Sequence, residues 1–183
     1  LHKEYRRQRQ MCIRDSLSKS PAQWDAAKLA WVNAQYIKAK PDDALTPLVA
    51  AQLKKRGIEA DDRLVAICAL FKDRCETTVA LADWAAAFYA DVHASEADRA
   101  QHITDAVKPA VATLADKLST LPTWDKATIA AAIKETLAAH SLKMPALAMP
   151  VRVLVMGTPQ TPSLDAVLAI FSKEKIIERL KVA

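Results

Sequence analysis

A chain of 183 residues, 51% hydrophobic and 26% charged, has the make-up of a globular protein large enough for one domain or two small ones. Its two glycines, Gly57 and Gly157, are too few for a phosphate-cradling loop or a dinucleotide fingerprint, which excludes a nucleotide-binding α/β domain from this stretch. The formal charge is +5, but Lys3, Arg6, Arg7, Arg9, Arg14 and Lys19 supply much of it against Glu4 and Asp15, so the basic footprint of an RNA binder is faint in the body of the chain.

Residues 1–16 lack an apolar period and read as a non-native or disordered leader. The remainder reads as all-α, in two small helical subdomains over 17–94 and 95–183. The longest apolar runs, Leu64 to Phe71 and Val153 to Met156, fall far short of the roughly 20 residues of a membrane span. The arginine-rich start has no apolar segment that would make it a secretory signal, so a cytoplasmic location without a membrane partner is expected.

Helical periodicity begins near Asp25. Leu29, Val32, Asn33, Tyr36 and Ile37 fall on one face of this first helix, and Trp24, Lys28, Trp31 and Gln35 on the other, so the helix packs on two sides or offers one to a partner. Pro41 ends it. A second helix is expected from about Thr46 and Pro47 to Gly57, with the glycine as C-terminal cap and Lys54, Lys55 and Arg56 complementing the dipole. Asp61 and Asp62 open a third, carrying Leu64, Ile67, Cys68 and Phe71 at core spacing, with Lys72 and Arg74 emerging at its end and Cys75 on the same helix two turns beyond Cys68. A fourth runs from about Thr77 to Tyr89 with Leu81, Trp84, Ala85 and Phe88 inward.

The polar stretch from His93 is a linker or the start of another helix. Ile103, Val107, Val111 and Leu114 continue a helical period across Pro109, which kinks the helix or marks its start. After Thr123, Ile129, Ile133 and Leu137 recur every four residues among alanines. VRVLVM has strand propensity, yet Pro150 before it and Gly157 after it favour a short buried helix with Pro150 in its first turn. Ser163 to Phe171 and Lys173 to Val182 complete the series.

Catalytic constellations are not found. His2, His93, His102 and His140 are scattered and have no metal-ligand spacing. Cys12, Cys68 and Cys75 are an odd number without a CxxC pair and read as free thiols. The carboxylates sit on helix starts or solvated faces, so no catalytic, cofactor-binding or metal residue is assigned.

Two blocks carry a family likeness. LKMPALAMPVRVLVMGTPQTPSLDAVLAIFSKEKIIERL from Leu142 contains a Met-Pro-apolar-Arg run, a Gly-x-x-x-Thr-Pro loop and a Leu-Asp-x-Val-Leu helix, and SKSPAQWDAAKLAWVNAQYIK spans Ser18 to Lys38. Both, in this order, resemble the C-terminal part of bacterial glutamyl-tRNA synthetases. The resemblance implies an anticodon-binding piece of a class I ligase whose parent joins glutamate to tRNA(Glu) with ATP and Mg in a catalytic domain missing from this chain. On that view the piece alone is inactive and holds no cofactor, and its partners are tRNA(Glu) and the catalytic domain in cis, with no DNA.

By the same resemblance Arg152, Thr161 and Leu164 border the pocket for the third anticodon base, Arg74 reaches it from the other lobe, and Lys28 approaches the RNA backbone or the catalytic-domain junction. The residue types suit the task. A splayed single-stranded base is read along its Watson-Crick edge, and the O2 and N3 acceptors of cytosine match a guanidinium fork. An arginine between Val151 and Val153 must reach solvent, a carboxylate or a ligand, because an unpaired buried charge is costly. Thr161 is also placed to cap the following helix. SLSKS at Ser16 to Ser20 has the look of a synthetase signature loop but lacks the nucleotide-binding sheet such a loop serves. The competing reading is a helical protein-interaction module that docks a partner on the Trp/Lys face of the first helix.

Overall fold

A computed structural model describes residues 25–182, so the leader, Cys12, SLSKS and Trp24 lie outside the described residues. Ten helices follow in order: α1 Ala26–Ala39, α2 Asp42–Lys54, α3 Arg63–Phe71, α4 Thr78–Tyr89, α5 Glu96–His102, α6 Lys108–Thr120, α7 Lys126–Ala139, α8 Met144–Met156, α9 Leu164–Ile170 and α10 Lys173–Leu180. A 3-10 turn, Lys72–Arg74, joins α3 to the segment before α4. Among the described residues there is no strand, and no helix is long and apolar enough to cross a membrane.

Local chemistry sets most helix ends. Side chains of Asp25, Thr77, Ser95 and Ser172 accept backbone N–H groups in the first turns of α1, α4, α5 and α10, and Asp125 forms a reciprocal capping box with Thr128 on α7. Pro109 stands in the first turn of α6, where its missing N–H costs nothing. After α2, Gly57 is left-handed at φ +73°, and its N–H and that of Ile58 donate to Lys54 and Leu53 carbonyls at 3.0 and 3.1 Å, while the Ile58 side chain packs on the core. This is the expected glycine cap. The same pair of bonds closes α7, from Ser141 and Leu142 to Ala138 and Leu137, but there the left-handed residue is a serine at φ +52°.

Prolines account for two displaced starts. α2 begins at Asp42, directly after Pro41, rather than near Thr46, and Pro47 sits inside it. The Thr46 hydroxyl donates to the Asp42 carbonyl at 2.6 Å in that same stretch. α8 begins at Met144 with Pro145 in its first turn, so Pro150 is interior rather than initial. The bond lost there would have gone to the carbonyl of Ala146, an exposed residue. VRVLVM is helical as expected, and Gly157 ends it at φ +74°. A Cβ at that glycine would overlap Val92 Cγ1.

Two side-chain expectations need correction. Ile37 is the only buried residue of α1, whereas Leu29, Trp31 and Tyr36 are 51, 63 and 73% exposed, so neither face of that helix is covered as a stripe. The period marks an amphipathic helix but does not supply the element that would lie on it. Cys75 is off the α3 helix, following the 3-10 turn with extended backbone. Both Cys68 and Cys75 are nonetheless buried and free.

The buried side chains form one connected cluster from Ile37 to Leu180. Phe71 stacks on Trp84 at 5.3 Å, meets Phe88 edge-on at 5.9 Å, and Phe88 stacks on Phe171 at 4.4 Å, carrying the cluster from α3 and α4 into the C-terminal helices. Beside this chain lies Arg179 of α10, only 8% exposed. Its guanidinium covers the Phe171 ring at 5.0 Å and donates to the carbonyls of Ala87 at 3.0 Å, Ala90 at 2.8 Å and Val155. Those acceptors belong to the C-terminal ends of α4 and α8, where carbonyls lack intrahelical donors. One cation thus satisfies and electrostatically complements two helix ends.

Replacing Arg179 with Met keeps much of the stem but leaves these carbonyls without donors. A loss of about 2–4 kcal/mol is expected in urea unfolding, with the denaturant slope unchanged; a loss below about 0.5 kcal/mol, the scale of an ordinary surface change, would contradict the assignment. Ser141→Gly should raise stability by up to about 1 kcal/mol by relieving left-handed strain. Burial, then the charge of Asp83, push the Cys75 thiol up to about 11. Its contribution to stability is therefore complete below the ordinary value of 9.0 and lost as pH rises towards about 11. In a Cys12→Ser background, Ellman's reagent at pH 8 should find no reactive thiol until urea unfolds the chain.

Candidate nucleic-acid interface

α8 is buried on most of its surface, with Leu147, Val151, Leu154 and Val155 in the core. Met144, Ala148 and Arg152 recur at spacings of four on its remaining side and form one wall of a cavity of about 360 Å³. Ala130, Ile133 and Lys134 of α7 make the second wall, and Ser163, Leu164 and Asp165 at the start of α9 the third. The lining is mostly apolar, with cations on two walls and a carboxylate on the other.

Arg152 is half-buried between these walls. Nη2 donates to the Pro162 carbonyl at 3.1 Å, while the buried Nε meets no acceptor among the described residues. Burial first, and then the nearby positive charge of Arg74, hold its guanidinium below the usual arginine value. The two arginines named from the sequence are therefore close enough to repel. Arg74 itself is exposed on the 3-10 turn and makes no ion pair among the described residues. Contact between α3 and α9 accounts for the approach, because the turn carrying Arg74 continues directly from α3.

The other sequence-derived residues fall into place unevenly. Leu164, 5% exposed, begins α9 and lines the cavity. Thr161 is equally buried and does not line it; its hydroxyl donates at 3.3 Å to the Pro162 carbonyl that also receives Arg152. Nor does it cap α9, whose N-cap residue is Ser163, without a side-chain bond. Lys28 is exposed on α1 and lies outside the cavity wall. α1 instead rests on the 3-10 turn, and Asn33 Nδ2 donates to the Glu76 carbonyl just beyond it.

Sequence reasoning passed over Lys134, Ser163 and Asp165. Spacing offered a partial signal, since Ala130 and Lys134 share a helical face as Met144, Ala148 and Arg152 do. What the period does not encode is that these faces meet. Among the described residues Asp165 pairs with Lys126 Nζ, at 3.8 Å, and not with Arg152.

Comparison with known proteins bears on the family and the fold. The family model described as "Anticodon binding domain" matches residues 43–183. The chain is 64% identical over 167 residues to a glutamate–tRNA ligase of Albidiferax ferrireducens, covering 91% of this chain and 36% of that protein. It is 60% identical over 173 residues to the glutamate–tRNA ligase of Paracidovorax citrulli, covering 92% and 36%. It thus spans about a third of the length of these curated relatives. A crystal structure of a glutamate tRNA ligase from Elizabethkingia meningosepticum, in complex with its amino acid, superposes with a TM-score of 0.81 at 22% identity over 90% of this chain and 33% of that one, a likeness of fold. With more than half its length matched by that model, the chain belongs to the anticodon binding domain family.

Proposed function

We propose that this chain is the anticodon-reading, C-terminal region of a cytoplasmic glutamate–tRNA ligase, that tRNA(Glu) is its partner, and that the ATP- and Mg-dependent chemistry belongs to a catalytic region joined to it in cis. Residues 17–94 then serve as the stem-side lobe and 95–183 as the anticodon lobe. The observation that carries the reading is Arg152, a cation on a core helix with a buried, acceptor-free Nε and a second arginine close by, facing an apolar cavity. A guanidinium that has lost solvent within reach of a second positive charge destabilises the free protein, and that cost is offset when an acceptor-rich group enters. Acceptors on a base edge, with the phosphates beside them, are such groups, and the apolar walls suit a base face.

Within the ligase the chain acts by positioning. Contacts at the anticodon fix the orientation of the whole tRNA and so place its acceptor end at the catalytic region, without this chain touching a reacting atom. Arg74, Arg152, Thr161 and Leu164 form or support the pocket in this proposal, and Lys28 contacts the RNA backbone or the catalytic junction. The exposed Leu29, Trp31 and Tyr36 favour a second reading, in which α1 docks a protein and the chain reads no RNA.

A fluorescence-anisotropy titration with tRNA(Glu) transcript separates the two. Affinity should fall steeply with salt, by about 0.7–0.9 log units per phosphate contact for each tenfold rise. Arg152→Ala should weaken binding about tenfold or more, and Arg74→Ala should act in the same direction through the same site. Equal affinity for transcripts with altered anticodons would support the protein-docking reading instead.

A further inference from the structure

The cavity beside Arg152 carries a feature that the arginines alone do not explain. Asp165 lines it from the start of α9, its side chain 22% exposed, with Lys126 Nζ at 3.8 Å as its ion partner among the described residues. Arg152 and Asp165 face the same space yet do not close on each other. Opposite charges that line one mostly apolar cavity without forming an ion pair keep a donor and an acceptor available to whatever enters. The complementary ligand is flat and presents acceptors beside an amine.

We propose that Asp165 is a specificity-determining residue that accepts a hydrogen bond from the exocyclic amine of the base held by Arg152, and so selects cytosine over uracil. The inference rests on the reading of this cavity as a base pocket. With the O2 and N3 acceptors of cytosine towards the guanidinium, its N4 amine lies beside N3 at the end of the same edge, and a carboxylate is the acceptor suited to it. Uracil presents O4 at that place, so two oxygen acceptors face each other and uracil is rejected by repulsion. Adenine has an amine but a single adjacent ring acceptor, which uses half of the fork. Guanine reverses the pattern, with two donors and one acceptor. The partial burial of Asp165 strengthens the discrimination, since a bond in a low-dielectric site counts for more than one in water.

The test uses tRNA(Glu) transcripts carrying cytosine or uracil as the third anticodon base, titrated against the whole chain. The unsubstituted protein should prefer cytosine about tenfold or more. Asp165→Asn, close to isosteric and able to donate to O4, should lose most of that preference while its thermal midpoint stays near that of the parent chain. Asp165→Ala should lose it as well; a merely structural role would weaken both transcripts equally and leave the ratio intact. An unchanged ratio in both variants, with Arg152→Ala still weakening binding, would overturn the role of Asp165 and leave the pocket standing. If Arg152→Ala binds both transcripts as tightly as the parent chain, the pocket itself fails, and this proposal with it.

Discussion

The arrangement depends on one buried cation. Arg179 brings the C-terminal carbonyls of α4 and α8 to a single guanidinium packed on Phe171. Its three bonds fix where α8 ends relative to α4, and the stacked Phe71, Phe88 and Phe171 fill the space beneath. Lysine cannot take its place, because a point charge does not present a planar fork to acceptors from two helices. Arg152 lies one turn before Val155 on α8, and Arg74 on the turn that leads into α4. The clamp therefore sets the frame in which the two exposed or half-buried arginines approach each other.

That approach works against folding. A half-buried guanidinium with an unmatched Nε, held near another cation, is a burden the helices do not need. Nothing in core packing calls for it, since the rest of α8 is apolar around Arg152. Groups perturbed in this way concentrate at binding sites, where the unfavourable free state becomes a favourable bound one. The contrast with Arg179 is instructive. Both cations lose solvent, but Arg179 is satisfied by carbonyls on several sides and stabilises the fold, whereas Arg152 has one such bond among the described residues.

Much of this was legible in the sequence because local chemistry controls it. The glycines after α2 and α8 are short-range signals, and the core spacing of Leu64, Ile67 and Phe71 needs only a helical period. Pro47 and Pro150 stand in the second turns of their helices, where a proline has the same local signature as one at a helix start. Other features were hidden because they depend on tertiary context. Nothing local distinguishes Arg179 from any arginine in an amphipathic terminal helix, and Asp165 gains its meaning only when α7, α8 and α9 enclose a cavity. Exposure of Trp31 and Tyr36 was invisible for the same reason, since a periodic stripe does not say what covers it.

If this cavity receives a base from the anticodon loop, chemical probing of tRNA(Glu) bound to the chain detects it. Bound at saturation, the chain should suppress modification of the Watson-Crick edge of the third anticodon base, and Arg152→Ala should restore that reactivity at concentrations where backbone contacts still hold the tRNA. Protection confined to helical stems, with the anticodon bases as reactive as in free tRNA, would mean that the cavity receives no base.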